Sequence, residues 1–211
     1  MNFYPGEMSR WSRHELLVSL INPRPIAWVT TVGEDGILNA APFSFFMPVG
    51  MDPPTLAFSL TGRRGGVKKD TLRNIEFNGE FVVNVVTPEL AERMNTCGFD
   101  FPPSVNEIER AGLGTVSSEK VKPPRLAETP ASLECCLDRI VQVGEEGVGA
   151  TLIIGQVLVA HVPDEVCRDG EVDCSRLTLL SRLGGEYYSA PREIFQMKRH
   201  REEPAGGGTT A

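Results

Sequence analysis

The chain has little that would hold it in a membrane, cross-link it or load it with metal. No apolar stretch approaches the roughly 18 to 20 residues that span a bilayer. The longest candidate, Thr151 to Val162, is interrupted by Gly155, Gln156 and His161. The first residues, MNFYPGEMSRWSRHE, have no apolar segment after a basic one, so a cytoplasmic protein without a secretory signal is expected. Five cysteines are an odd count, and no CxxC occurs. That excludes a disulfide framework or zinc knuckle and predicts free thiols in a reducing compartment. The three histidines, His14, His161 and His200, lie far apart with no HExxH, so no metal site is expected. Basic charge is also scarce, with 21 Lys and Arg against 28 Asp and Glu, a formal charge of -7. Such a surface repels phosphate backbones and argues against nucleic acid as a partner. Nucleotide-loop templates are missing too: there is no GxxxxGK[ST], and no GxGxxG follows a strand and opens a helix.

What remains is an ordinary globular composition. The 211 residues are 41% hydrophobic and 23% charged, enough to bury the core of one domain over 1–197. The charged, then Gly/Thr-rich end, 198–211, reads as a disordered tail. Strands are expected at Arg24 to Val32, Ile37 to Pro42, Pro54 to Thr61 and Glu80 to Val86. The first two are joined by a turn at Gly33-Glu34-Asp35-Gly36. Leu133, Cys135, Leu137, Val141 and Val143 share one parity, a half-buried strand, with Gly144 to Gly149 as the turn after it. Thr151 to Val162 is a long strand in which Gly155 marks a bulge or a close backbone approach.

Helices look short. Ser12 and Glu15, and again Ser104 and Glu107, have capping-box spacing. Thr87-Pro88 opens a helix that Gly98 closes, Asp70 caps one over Thr71 to Phe77, and Ser175 to Leu183 is a further candidate. Strands cluster without βαβ alternation. The fold class expected is mainly β, a barrel with peripheral helices.

Two stretches stand out chemically. Arg63, Arg64, Lys68, Lys69 and Arg73 fall within eleven positions, opposed only by Asp70, in a loop freed by Gly62, Gly65 and Gly66. The loop runs into a helix start at Thr71, whose amides carry partial positive charge. Two readings are open: a phosphate site, or a solvated loop of surface cations. The second stretch is Asn39-Ala40-Ala41-Pro42-Phe43-Ser44-Phe45-Phe46. Its small residues, polar groups and aromatics suit a flat heterocycle, although some of the phenylalanines would serve the core as well.

The order of RPIAWVTTVGEDGILNAAPFSFF, DPPTLAFSLTGRRGGVKKDTLRN and GEFVVNVV resembles the flavin reductase-like family of FMN-binding split barrels, flavoredoxin-type proteins in particular. The likeness runs from about Pro23 to Val162. It implies a six-stranded antiparallel Greek-key barrel that forms a homodimer, with FMN near the subunit interface. It also implies that Asn39, Ala40, Ala41, Ser44 and Phe45 surround the ring or ribityl chain, and that Ser59 reaches the ribityl or phosphate. Arg63, Lys69, Asp70 and Thr71 would form the phosphate end. One departure is evident. NADH-using flavin reductases of this superfamily often carry Gly-Asp-His before the strand matching Thr151 to Val162, where this chain has Gly149-Ala150-Thr151.

By this resemblance the chain is an FMN-dependent oxidoreductase passing electrons or hydride through the flavin, with NAD(P)H as a candidate donor. A partner oxygenase or electron-transfer protein would receive them. The alternative is a non-catalytic FMN-binding electron carrier or redox sensor. Flavin chemistry resides in the cofactor, and no catalytic side chain is expected.

Overall fold

The computed structural model describes residues 1–61, 67–145 and 149–198. Arg63 and Arg64, the middle of the Gly144 to Gly149 turn and the tail from 199 therefore lie outside the described residues. The centre of the fold is one seven-stranded antiparallel sheet. Its strands are β1 (Ala27–Val32), β2 (Leu38–Phe43), β3 (Phe46–Met51), β4 (Pro54–Thr61), β5 (Glu80–Asn84), β6 (Ser132–Val143) and β7 (Ala150–His161). Their order across the sheet is β2-β1-β5-β6-β7-β4-β3. The two edges, β2 and β3, are consecutive in the chain and separated only by Ser44 and Phe45. The sheet thus curls until its edges meet at that dipeptide, the barrel expected for this composition of strands.

Alternation on β1 explains how one sheet serves two cores. Ala27 and Val29 point into the barrel with Phe43, Phe58, Phe81, Cys135 and Ile153. Trp28, between them, faces outward into a second cluster with Ala40, Val86, Met94, Ile108 and Leu180. A strand covered on both faces reads as a continuous apolar run, as Ile26-Ala27-Trp28-Val29 does. Inside the barrel, the rings of Phe43 and Phe58 lie 5.1 Å apart and those of Phe58 and Phe81 5.5 Å apart. Such offset and edge-on pairs are the favourable aromatic geometries.

Helix α1 (Arg10–Leu20) is capped by Ser9, whose side chain accepts from the Ser12 amide, so the cap falls three residues before the expected one. Helix α2 (Asp70–Asn78) closes on Gly79 at φ 70°, a left-handed cap that glycine adopts without strain. Helices α3 (Ala91–Thr96) and α4 (Glu107–Arg110) cover the second cluster. The α4 cap is Asn106, not Ser104.

Two further differences have physical causes. The sheet has seven strands because Phe46–Met51 pairs with β4. Pro48 and Gly50 hide that strand in the sequence, yet proline is tolerated on a sheet edge, and a register shift occurs between those two residues. The stretch from Ser175 is not helical. After a single turn at Cys174–Arg176, it extends so that Ser181–Arg182 pairs with Arg24–Pro25. The Leu180 amide donates to the Val86 carbonyl, and its side chain is buried in the second cluster. Tertiary packing overrides a weak helical preference there. No helix among the described residues is long and apolar enough to cross a membrane.

Candidate functional site

The junction between the sheet edges opens into a groove of about 590 Å³. Pro42 to Phe45, Ser59, Leu60 and Thr61 at the end of β4, and Lys69 line it. The Ser59 amide donates to the Phe45 carbonyl over 2.8 Å, which fixes the junction against β4. Arg10, Trp11 and His14 of α1 complete the lining. His14 stacks on Phe45 with ring centroids 6.2 Å apart and planes 19° off parallel, and Trp11 lies 5.9 Å from His14. These three rings make an aromatic wall. The capping pattern pointed to a helix here, but nothing in the sequence showed which of its faces would meet the Asn39–Phe46 stretch.

Lys69 is the residue before α2, and its side chain does not cap the helix. The first-turn amides therefore carry no hydrogen bond from a capping side chain and keep their partial positive charge. The Lys69 Nζ stands 3.7 Å from Asp100 Oδ1. Asp70, expected as the cap, is instead the first helical residue and pairs with Arg73 at 2.5 Å.

The candidate residues fall into two groups. Ser44, Phe45, Ser59 and Lys69 line the groove together. Asn39 and Asp70 line a separate small crevice with Arg73, Asn74 and Glu107. The Asn39 side-chain amide donates to Thr31 Oγ1 at 3.2 Å and Thr71 Oγ1 at 3.0 Å, and Asn74 donates to the same Thr31 oxygen at 3.0 Å. All four of these residues are buried. This knot of hydrogen bonds locks the start of α2 onto the β1-β2 hairpin, and so determines where Lys69 stands. Ala40 is buried in the second cluster, with its amide 3.4 Å from Glu107 Oε2, while Ala41 packs half-buried against the barrel core. Arg63 lies outside the described residues.

The groove has the size and the mix of groups of a small-molecule site. Small-molecule sites of about 300–1,000 Å³ combine apolar walls with a few polar contacts. Here aromatic walls, the Ser44, Ser59 and Thr61 hydroxyls and a cation beside a helix N-terminus occur in one cleft.

A family model described as a flavin reductase like domain matches residues 19–179. The chain belongs to the flavin reductase-like family. Nitrilotriacetate monooxygenase component B from Bacillus cereus superposes with a TM-score of 0.89 at 34% identity, covering 93% of this chain and 98% of that one. The 2-nitrobenzoate 2-nitroreductase of Pseudomonas fluorescens gives 0.86 at 28% identity, covering 98% and 100%. Flavoredoxin of Desulfovibrio vulgaris (Miyazaki F) shares the fold, with a TM-score of 0.72 at 23% identity over 84% and 91%. Family and split-barrel fold are thus those that the sequence resemblance implied.

Proposed function

We propose that the groove binds FMN and that the protein is an FMN-dependent oxidoreductase of the flavin reductase type. The observation that carries this reading is the convergence of Ser44, Phe45, Ser59 and Lys69 on one cleft beside the uncapped start of α2. A bound flavin supplies the hydride and electron chemistry, leaving the protein to bind, orient and tune it. Phe45, with His14 stacked behind it, offers a flat face. Ser44 and Ser59 offer hydrogen bonds to polar edges, and Lys69 with the α2 amides offers charge to the phosphate. Arg63 and Asp70 extend this phosphate end by the family resemblance. Asn39 and Thr71 act from behind, through the knot that holds α2. Ala40 and Ala41 contribute main chain on the same strand.

NAD(P)H is the proposed electron donor, and a partner oxygenase the proposed recipient of reduced flavin. The similarity to a monooxygenase component supports the second of these. A homodimer fits the edge strand β3, which leaves Met47, Val49 and Met51 exposed. The second reading, an FMN-binding electron carrier, is favoured by Gly149-Ala150-Thr151 standing where NADH-using flavin reductases of this superfamily often carry Gly-Asp-His.

A visible spectrum of the purified protein with FMN, recorded anaerobically before and after NADH or NADPH, tests both. Bleaching by either nucleotide establishes the reductase and names its donor. A bound flavin that neither nucleotide reduces establishes the carrier. Failure to bind FMN overturns both.

A further inference from the structure

Beside the groove, and sharing His14, Ser44 and Phe45 with it, lies a smaller cavity of about 150 Å³. Arg24 and Arg182 both line it. They are direct partners in the pairing of Arg24–Pro25 with Ser181–Arg182. Like charges placed opposite each other on paired strands repel, so this arrangement costs stability unless something offsets it. Among the described residues, no carboxylate does.

The hydrogen bonds of both guanidinium groups go to neutral oxygens. Arg24 donates to the carbonyls of Val18 at 2.7 Å, Ile21 at 2.9 Å and Leu183 at 2.8 Å. Arg182 donates to the Tyr188 hydroxyl and the Gly185 carbonyl. Arg24 is only 8% exposed, and its Nε–H is fully buried without an acceptor. Burial, and next to it the Arg182 charge, pull the Arg24 guanidinium below its ordinary value. A buried donor without a partner is costly, and here it belongs to one of two cations facing the same small space.

The remaining walls identify the anion. Val18, Ile26 and Met94 are buried apolar residues of this cavity. A phosphate dianion would surrender its hydration to them. A whole dinucleotide needs a site several times larger. A planar carboxylate matches the guanidinium fork, and an apolar body attached to it matches the walls.

We propose that this cavity is a carboxylate subsite, in which Arg24 and Arg182 hold the carboxylate of a small substrate whose apolar body lies against Val18, Ile26 and Met94. The subsite stands on its own geometry; that its occupant sits beside a flavin rests on the function proposed above.

Calorimetric titration of the full chain with benzoate, benzamide and inorganic phosphate tests it. Benzoate is expected to bind at least about tenfold more tightly than its neutral isostere benzamide, and phosphate, whose proposed place is beside Lys69, should not displace benzoate. Arg182→Gln is expected to weaken benzoate by about tenfold or more while leaving FMN affinity nearly unchanged. Arg24 closes the end of α1, so its removal is not the variant of choice. Absence of benzoate binding overturns the proposal. So does equal binding of benzoate and benzamide, displacement of benzoate by phosphate at comparable concentration, or an Arg182→Gln protein that binds benzoate as the parent does. If FMN fails to bind but benzoate discrimination persists, the flavin reading falls and the carboxylate subsite stands.

Discussion

Gly155 on β7 lies directly against the ring of Phe81 on β5: a Cβ built at Gly155 would sit 2.8 Å from Phe81 Cε1. The β6-β7 register shifts between Ile154 and Gly155, so close approach and bulge occur at the same residue. Phe81 is fully buried at the centre of the barrel and cannot step aside without disturbing Phe58. Gly155→Ala is therefore an overpacking substitution, expected to destabilise the fold by about 1–3 kcal/mol. Urea unfolding of the two proteins measures it. A stability equal to the parent's would mean that Phe81 moves freely, contrary to a packed barrel.

Glu134 gives the fold a dependence on acid. Its carboxylate is fully buried and accepts from the Glu119 amide at 2.7 Å, the Lys120 amide at 2.6 Å and His161 Nε2 at 2.6 Å. Burial alone would raise the carboxyl, but these hydrogen bonds, followed by the His161 charge, outweigh it and hold the group below its ordinary 4.5. A lowered folded-state value stabilises the protein fully above the unfolded value and loses that contribution as pH falls through the folded one. Glu134→Gln is expected to cost about 1–3 kcal/mol at neutral pH, because its amide hydrogens confront backbone donors. The gap between parent and variant should then narrow below pH 4.5. Urea midpoints across that range check this, and parallel curves would refute it.

How much of this was legible in the sequence depended on whether the signal was local. The strand over Pro54 to Thr61, the long strand within one residue of Thr151 to Val162 and the special position of Gly155 all depend on neighbouring residues, and the structure reproduces them. Phe46–Met51 was missed because an edge strand tolerates the proline and glycine that argue against a central one. The stretch from Ser175 was misread because its conformation is dictated by Arg24–Pro25 and Val86, more than ninety residues earlier. Distance along the chain also concealed the aromatic wall of Trp11, His14 and Phe45 and the facing pair Arg24 and Arg182. Each of these forms only when distant segments meet.

The aromatic wall supplies an optical test of where flavin sits. The chain has two tryptophans. Trp11 lines the groove and is 71% exposed, whereas Trp28 is fully buried in the second cluster. Flavin bound in the groove would lie beside Trp11 and quench the solvent-exposed part of the emission more than the buried part. Trp11→Phe should retain FMN binding while losing most of that quench. An undiminished quench in the variant would place the flavin elsewhere.

The phosphate end can be separated from the ring site by comparing two ligands that share the ring. Lys69 stands at the mouth of α2, where its ammonium and the first-turn amides would both face a phosphate. A hydrogen bond to a charged group contributes about 1.5–3 kcal/mol, so Lys69→Ala should weaken FMN by roughly tenfold or more. Riboflavin has the same ring and ribityl chain but no phosphate, and its affinity should change little. Arg63→Ala is expected to follow the same pattern if the family resemblance carries over to that position. Fluorescence titration of both ligands against each variant makes the comparison. Equal losses for FMN and riboflavin would move the phosphate away from Lys69, because a residue that meets only the phosphate cannot distinguish ligands by anything else.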